Sequence, residues 1–157
     1  MTTSTPPDEA SPHSAEPGCP FETYRGTVYP WQLDHVGHMN VQFYTARFDE
    51  ATWHFFAGLG IGSRYLRDAH RGMAAVEQRT RYKRELHAGA LIRISSELLE
   101  VRPKVVRFIH RMYDAETGDE VADSELTAVH MDTDARRSVP FPNEILTRLQ
   151  AAVRVAE

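Results

Sequence analysis

Cysteine is almost absent from this chain: Cys19 is the only one in 157 residues. A disulfide framework and a thiolate-rich metal site are therefore excluded, and a reducing, cytoplasmic location is expected. Long apolar runs are missing too. None approaches the roughly 20 residues of a membrane-spanning helix, and no basic segment with an apolar core opens the sequence, so neither a membrane span nor a signal peptide is expected. Excess positive charge is also lacking. The formal charge is -4, of which Asp8, Glu9 and Glu16 supply -3 within residues 1–20, where there is no Lys or Arg. The remainder is near neutral at -1, which argues against a nucleic-acid binder. It leaves room for a local basic patch that holds a phosphorylated small molecule.

What is present suits one globular domain, with 41% hydrophobic and 25% charged residues in a chain of ordinary domain length. Residues 1–20 are rich in Pro, Ser, Thr and acids with almost no large apolar side chain, so a disordered tail is expected there and a single domain over 21–157.

Residues 21–29 alternate apolar and polar side chains and read as a strand that Pro30 ends. After a loop, Asn40 is placed to cap a helix in which Val41, Tyr44, Phe48, Ala51 and Phe55 recur at helical spacing. Gly58 and Gly60 stop it, and a short helical piece fits residues 63–69. From Met73 the period changes to two, with Val76, Gln78, Thr80 and Tyr82 expected on one face. Three more strands follow over 91–101, 105–113 and 120–131, separated by polar turns. Pro142 opens a last helix carrying Ile145, Leu149 and Val153. Successive hairpins would give an antiparallel sheet, and the long apolar helix would cover it: an α+β domain.

The loop from Asp34 to Tyr44 carries the chemistry. It places a carboxylate (Asp34) and an imidazole (His38) beside a helix N-terminus, whose unpaired N–H groups can hold a carbonyl oxygen as negative charge develops on it.

With Asp34, Gly37, His38, Asn40 and Tyr44, then Phe48-Asp-Glu-Ala51 and the segment from Tyr82 through Glu85 to Gly89, residues 21–150 resemble the hotdog-fold thioesterases. The likeness is to the group of 4-hydroxybenzoyl-CoA and short acyl-CoA thioesterases. The resemblance implies a curved antiparallel sheet wrapped around one long central helix. It also implies a homodimer or dimer of dimers with the site between subunits, and an acyl-CoA substrate. No cofactor and no metal are implied. Asp34 would act as nucleophile or general base and the N–H groups near Asn40 and Val41 as oxyanion donors. Two positions depart from relatives of this superfamily: Val41 where some bacterial members have His or Tyr, and Val36 where plant acyl-carrier-protein thioesterases have Asn. The loop also resembles that of thioesterases of carnitine and betaine breakdown, whose acyl group is cationic. Trp31, Phe43, Tyr44 and Trp53 could cage such a group, or be simple core.

Each candidate has a plainer role beside the functional one. Asp34 would need an apolar pocket, which Trp31, Leu33 and Val36 could supply, or it merely caps its own loop. His38 either orients water and the leaving thiolate or fixes the loop; His35 faces solvent. Asn40 is N-cap or substrate contact. Trp31 and Tyr44 are candidates for substrate binding. Asp49 and Glu50, mid-helix, fit an ion pair better than catalysis, and Glu77 fits an exposed strand. Among the cations, Arg79, Arg81, Lys83 and Arg84 suit a solvated face, whereas Arg102 and Lys104 around Pro103 are the candidates for the CoA phosphates. Two rival functions use the same residues: a hydratase or dehydratase of 3-hydroxyacyl thioesters, and a non-catalytic acyl-CoA-binding protein.

Overall fold

Asn40 closes the first turn of a long helix by accepting the Gln42 N–H on its side-chain oxygen at 3.0 Å, which satisfies one of the unpaired donors at that end. Helix α1 then runs over Val41–Gly58. In the computed structural model, which describes residues 20–153, it follows strand β1 (Phe21–Thr27) and a 3-10 turn at Pro30–Gln32. After it come α2 (Ser63–Asp68), β2 (Arg71–Tyr82), β3 (Leu91–Val101), β4 (Val105–Asp114), β5 (Glu120–Asp132), a two-residue strand β6 (Arg137–Ser138) and α3 (Asn143–Ala152). The tail expected over residues 1–20 lies, but for Pro20, outside the described residues. No helix among the described residues is long and apolar enough to cross a membrane.

Among the described residues these strands all pair antiparallel, in the order β1-β3-β4-β5-β2 with β6 on β5, and an isolated parallel bridge joins Leu98 to Val153. The sheet curls around α1, which is the expected hotdog architecture. One expectation needs correction. Strands β2 and β3 are not a hairpin: β4 and β5 lie between them, about 14 Å in all. Residues 83–90 cross that gap, and Leu86 anchors the crossover in the core at 2% exposure. The Leu86 carbonyl accepts the Met39 N–H at 2.7 Å, which fixes the crossover against the start of α1.

The expected shared face of β2 also changes, because Val76 is an extra residue. Ala75 pairs with Ala128 and Glu77 with Thr127, leaving Val76 in a bulge. Thereafter Gln78 and Thr80 face inward and hydrogen-bond the buried Ser124 hydroxyl at 3.1 and 3.0 Å, while Val76 is exposed. A period-two pattern continues unbroken through a bulge in sequence, but the pleat does not. The short β6 had no periodic signal to reveal it.

The core has two apolar halves along α1. Phe48, Tyr44, Ala51, Ile92, Ile94 and Met112 pack at its N-terminal end. At the other end Phe55, Phe56, Leu98 and Phe108 are joined by Leu149 of α3. Between them lies a buried polar chain. Thr52 donates its hydroxyl proton to the Phe48 carbonyl at 2.9 Å, so its oxygen accepts from His110 Nε2–H at 2.8 Å. His110 Nδ1 therefore accepts from the Ser96 hydroxyl at 2.5 Å, and Ser96 contacts the Thr23 hydroxyl at 2.7 Å. His110 also stacks on Phe48 and meets Phe55 and Phe108 edge-on. One imidazole thus ties α1 to β4 and, through Ser96, to β3.

Candidate active site

Between Leu33 and Met39, which bridge each other, the chain folds back on itself. The Asp34 N–H donates to the His38 carbonyl at 3.0 Å and the Gly37 N–H to the Asp34 carbonyl at 3.1 Å. Gly37 has φ 98°, a left-handed conformation that only glycine adopts freely. The Val36 N–H donates to Asp34 Oδ1 at 2.9 Å, an Asx turn that fixes the carboxylate. The buried Gln32 ties this loop to the helix: its carbonyl accepts the Asn40 N–H at 3.0 Å and its side chain the Tyr29 N–H at 2.9 Å. Gln32 is a supporting residue that no sequence pattern singled out.

Of the three neighbours expected to form an apolar pocket around Asp34, Trp31 and Val36 are 70% and 67% exposed, and only Leu33 is partly buried against the core. Partial burial still pushes the Asp34 carboxyl upward, but the Val36 N–H, the nearby His38 and the other loop N–H groups outweigh it and hold the pKa below the ordinary carboxylate value. The turn that shapes the loop also favours the ionised form of Asp34.

At the start of α1 the Gln42 N–H is taken by Asn40, and the Phe43 N–H returns to the Asn40 carbonyl at 3.0 Å. Among the described residues that leaves the Val41 N–H without a partner, as a donor at the positive end of the helix. Asn40 is thus the cap, and Val41 the donor that the cap leaves free.

The crossover adds groups that their positions in the sequence did not place here. His38 lies between two carboxylates, with Nδ1 3.6 Å from Asp34 and Nε2 3.7 Å from Glu85. His87 Nδ1 is 3.3 Å from the Gly37 carbonyl. A cavity of about 250 Å³ opens beside them, lined by His38, Val41, Tyr44, Tyr82, Arg84 and Glu85 among others. Tyr44 meets Tyr82 edge-on, its hydroxyl reaches the Arg84 carbonyl at 3.4 Å, and burial pushes its pKa to about 12, so it remains a neutral donor. Trp31 stacks on Tyr29 and meets Phe43 edge-on outside this cavity.

Other candidates sit elsewhere. Arg102 and Lys104 occupy the β3–β4 turn, at the far end of β3 from Asp34 and roughly 33 Å along the strand. Arg102 pairs with Glu100 at 2.6 Å, and Lys104 has no ion pair among the described residues. Glu50 pairs with Arg47 at 3.5 Å, as expected of an ion pair, but Asp49 does not. Glu77 is exposed.

A model of the thioesterase-like superfamily matches residues 28–149. The chain belongs to that superfamily. A betainyl-CoA thioesterase of Pseudomonas aeruginosa is 30% identical over 129 residues, covering 82% of this chain and 81% of that protein. The thioesterase-like fold recurs in a Staphylococcus aureus protein solved in complex with CoA, with TM-score 0.80 and 18% identity over 92% of both chains. It recurs again in the 1,4-dihydroxy-2-naphthoyl-CoA thioesterase of Synechocystis, with TM-score 0.73 and 14% identity, covering 84% of this chain and 96% of that one. As a member of the thioesterase-like superfamily the chain is a thioester hydrolase.

Proposed function

We propose that the protein hydrolyses acyl-CoA thioesters to CoA and a carboxylate, with Asp34 as the reacting carboxylate. The observation that supports this reading most is the pairing of two features: an Asp34 carboxylate locked by the Val36 N–H, and a Val41 N–H left free at the helix start. The carbonyl oxygen accepts from Val41, and the carbon is attacked by Asp34 or by water that Asp34 polarises. The tetrahedral intermediate expels the CoA thiolate. Where Asp34 attacks directly, water then cleaves the mixed anhydride, and the carboxylate is regenerated in either case. His38, in reach of the same loop, donates to the leaving sulfur. A thiol-release assay over a panel of acyl-CoAs tests the reading, and an absence of release with every ester would reject it.

The working unit is a homodimer or dimer of dimers built on β2. This strand is one of the two edges of the sheet, β1 being the other, and exposed Val76 lies on it. Unpaired edges invite a second copy. Arg71 of β2 and the Lys104 turn lie at one end of the sheet and Tyr82 at the other. Antiparallel pairing of β2 with its symmetry mate reverses one chain. The partner subunit's Lys104 end then lies alongside the Asp34 end of this chain, a route by which Arg102 and Lys104 serve the nucleotide phosphates. Light scattering should show at least a dimer, and Val76→Asp should weaken it by tenfold or more, on the order of 1.4 kcal/mol. An active wild-type monomer would overturn this assembly. Replacing Arg102 and Lys104 together by Ala should raise KM for acyl-CoA and leave turnover of a short acyl-pantetheine unchanged, since binding shared by ground and transition states appears in KM. Equal losses on both substrates would assign the pair to the fold instead.

A further inference from the structure

The outer face of the sheet carries a charge network that crosses strands. Arg81 bonds Asp123 at 2.7 Å, and Lys83 reaches the same carboxylate at 2.8 Å. Arg107 takes Glu100 and Glu125, and Arg111 takes Glu97. Two charges on β2 stand outside this network. Glu77 and Arg79 are exposed, and neither forms an ion pair or side-chain hydrogen bond among the described residues. Thr127, opposite Glu77, carries no charge, and Glu125, opposite Arg79, is bonded to Arg107 instead. Both lie on the outer face, since Ala128 and Leu126, which alternate with Thr127 and Glu125 on β5, line a cavity on the α1 side of the sheet.

Because β2 is an edge strand, its free side is open to a second strand. Glu77 and Arg79 have opposite signs and a spacing of two. In an antiparallel pair related by a two-fold axis, residues equidistant from the axis lie opposite each other. An axis through Gln78 sets Glu77 against the partner's Arg79 and Arg79 against the partner's Glu77. An axis through Glu77 or Arg79 would oppose that residue to itself, and one through Thr80 would set Arg79 against the partner's Arg81; like charges directly opposite are destabilising. We propose that β2 pairs with β2 of a second copy about Gln78, and that the two Glu77–Arg79 pairs fix this register. The proposal rests on the β2 dimer described above and specifies how its strands align. Val76 is extruded from the pleat, so beyond the charge pairs Thr80 meets the partner's Ala75 and Tyr82 meets the partner's Met73. Tyr82 lines the cavity beside Asp34, and the inward-facing side of Met73 then borders that cavity from the second copy.

Analytical ultracentrifugation of the full chain measures the dimer Kd. Glu77→Arg and Arg79→Glu should each raise it about tenfold or more, because each turns two attractive pairs into repulsive ones. An equimolar mixture of the two variants should recover a heterodimer with a Kd near that of wild type, which a folding defect would not allow. The register is read by cross-linking in a Cys19→Ser background. Gln78→Cys should form an intersubunit disulfide on mild oxidation, since the two Cα atoms at the axis lie about 4.5–5.5 Å apart. Arg79→Cys should form far less, since its own copies are diagonal neighbours, roughly 7–8 Å apart. A dimer whose Kd neither reversal moves, variants that do not recover on mixing, or a disulfide through Arg79→Cys rather than Gln78→Cys would each overturn the register. In those cases Val76→Asp still reports whether β2 is the interface. A monomeric wild type would overturn the assembly and the register together.

Discussion

Asp34→Asn is expected to fold with at most a small fall in melting temperature and to lose about 10²–10⁴-fold in kcat. The amide oxygen can still accept the Val36 N–H that closes the turn, so the loop keeps its shape and only the negative charge is lost. The pH dependence gives a second measurement. Asp34 titrates below the ordinary carboxylate value, because the loop N–H groups and His38 outweigh its partial burial. A group with a lowered pKa stays ionised above that value and loses its charge only as pH falls through it. Asp34 should therefore leave kcat/KM flat between about pH 7 and pH 5, in initial rates taken before any acid unfolding. Near-wild-type turnover in Asp34→Asn would remove Asp34 from the chemistry. A rate that falls with an ordinary carboxylate or higher midpoint would show that the loop does not hold it as described.

Acid should destabilise the protein through His110. Burial lowers its pKa from 6.5 to about 3. Its folded pKa is depressed, so the unfolded chain binds the proton more tightly. The stability this provides is fully present above pH 6.5 and is lost progressively as pH falls toward 3. At pH 5 the loss amounts to about 2 kcal/mol relative to pH 7.5. The structural reason is the apolar surround: His110 is packed against Phe48, Phe55 and Phe108, which cannot solvate an imidazolium as water does. His110→Phe retains the ring stacking against Phe48 and removes the titration. It should be less stable than wild type at pH 7.5, with the difference shrinking by about 2 kcal/mol at pH 5. Denaturant unfolding at the two pH values measures this directly. His130, also lowered by burial, contributes with the same sign to both proteins and cancels in the comparison. Parallel pH dependences would assign the acid sensitivity elsewhere.

The amino-acid pattern was sufficient for local structure. The 3.6-residue spacing from Val41 to Phe55, the Asn40 cap and the Gly58/Gly60 stop depend on interactions within a few residues, and α1 follows them closely. So do Gly37 and the Asp34 turn, where short-range hydrogen bonds set the geometry. Pairing partners depend on distant chain segments instead. Nothing local indicates that β2 pairs with β5 rather than β3, or that Val76 is extruded from the pleat. That pairing converts residues 83–90 from a turn into a crossover and delivers Glu85 and His87 to the Asp34 loop. It also leaves the Lys104 turn at the opposite end of the sheet. The electrostatics of Asp34 are local, like its turn: the N–H groups of Val36, Gly37 and His38 and the His38 ring, all within four residues, outweigh its partial burial, while Trp31 and Val36, which suggested an apolar pocket, turn outward. The sequence by itself determined which chemical groups are present and which helix start they flank. The curled sheet decided which of them meet, because contacts between residues far apart in the chain form only where strand order and register bring them together.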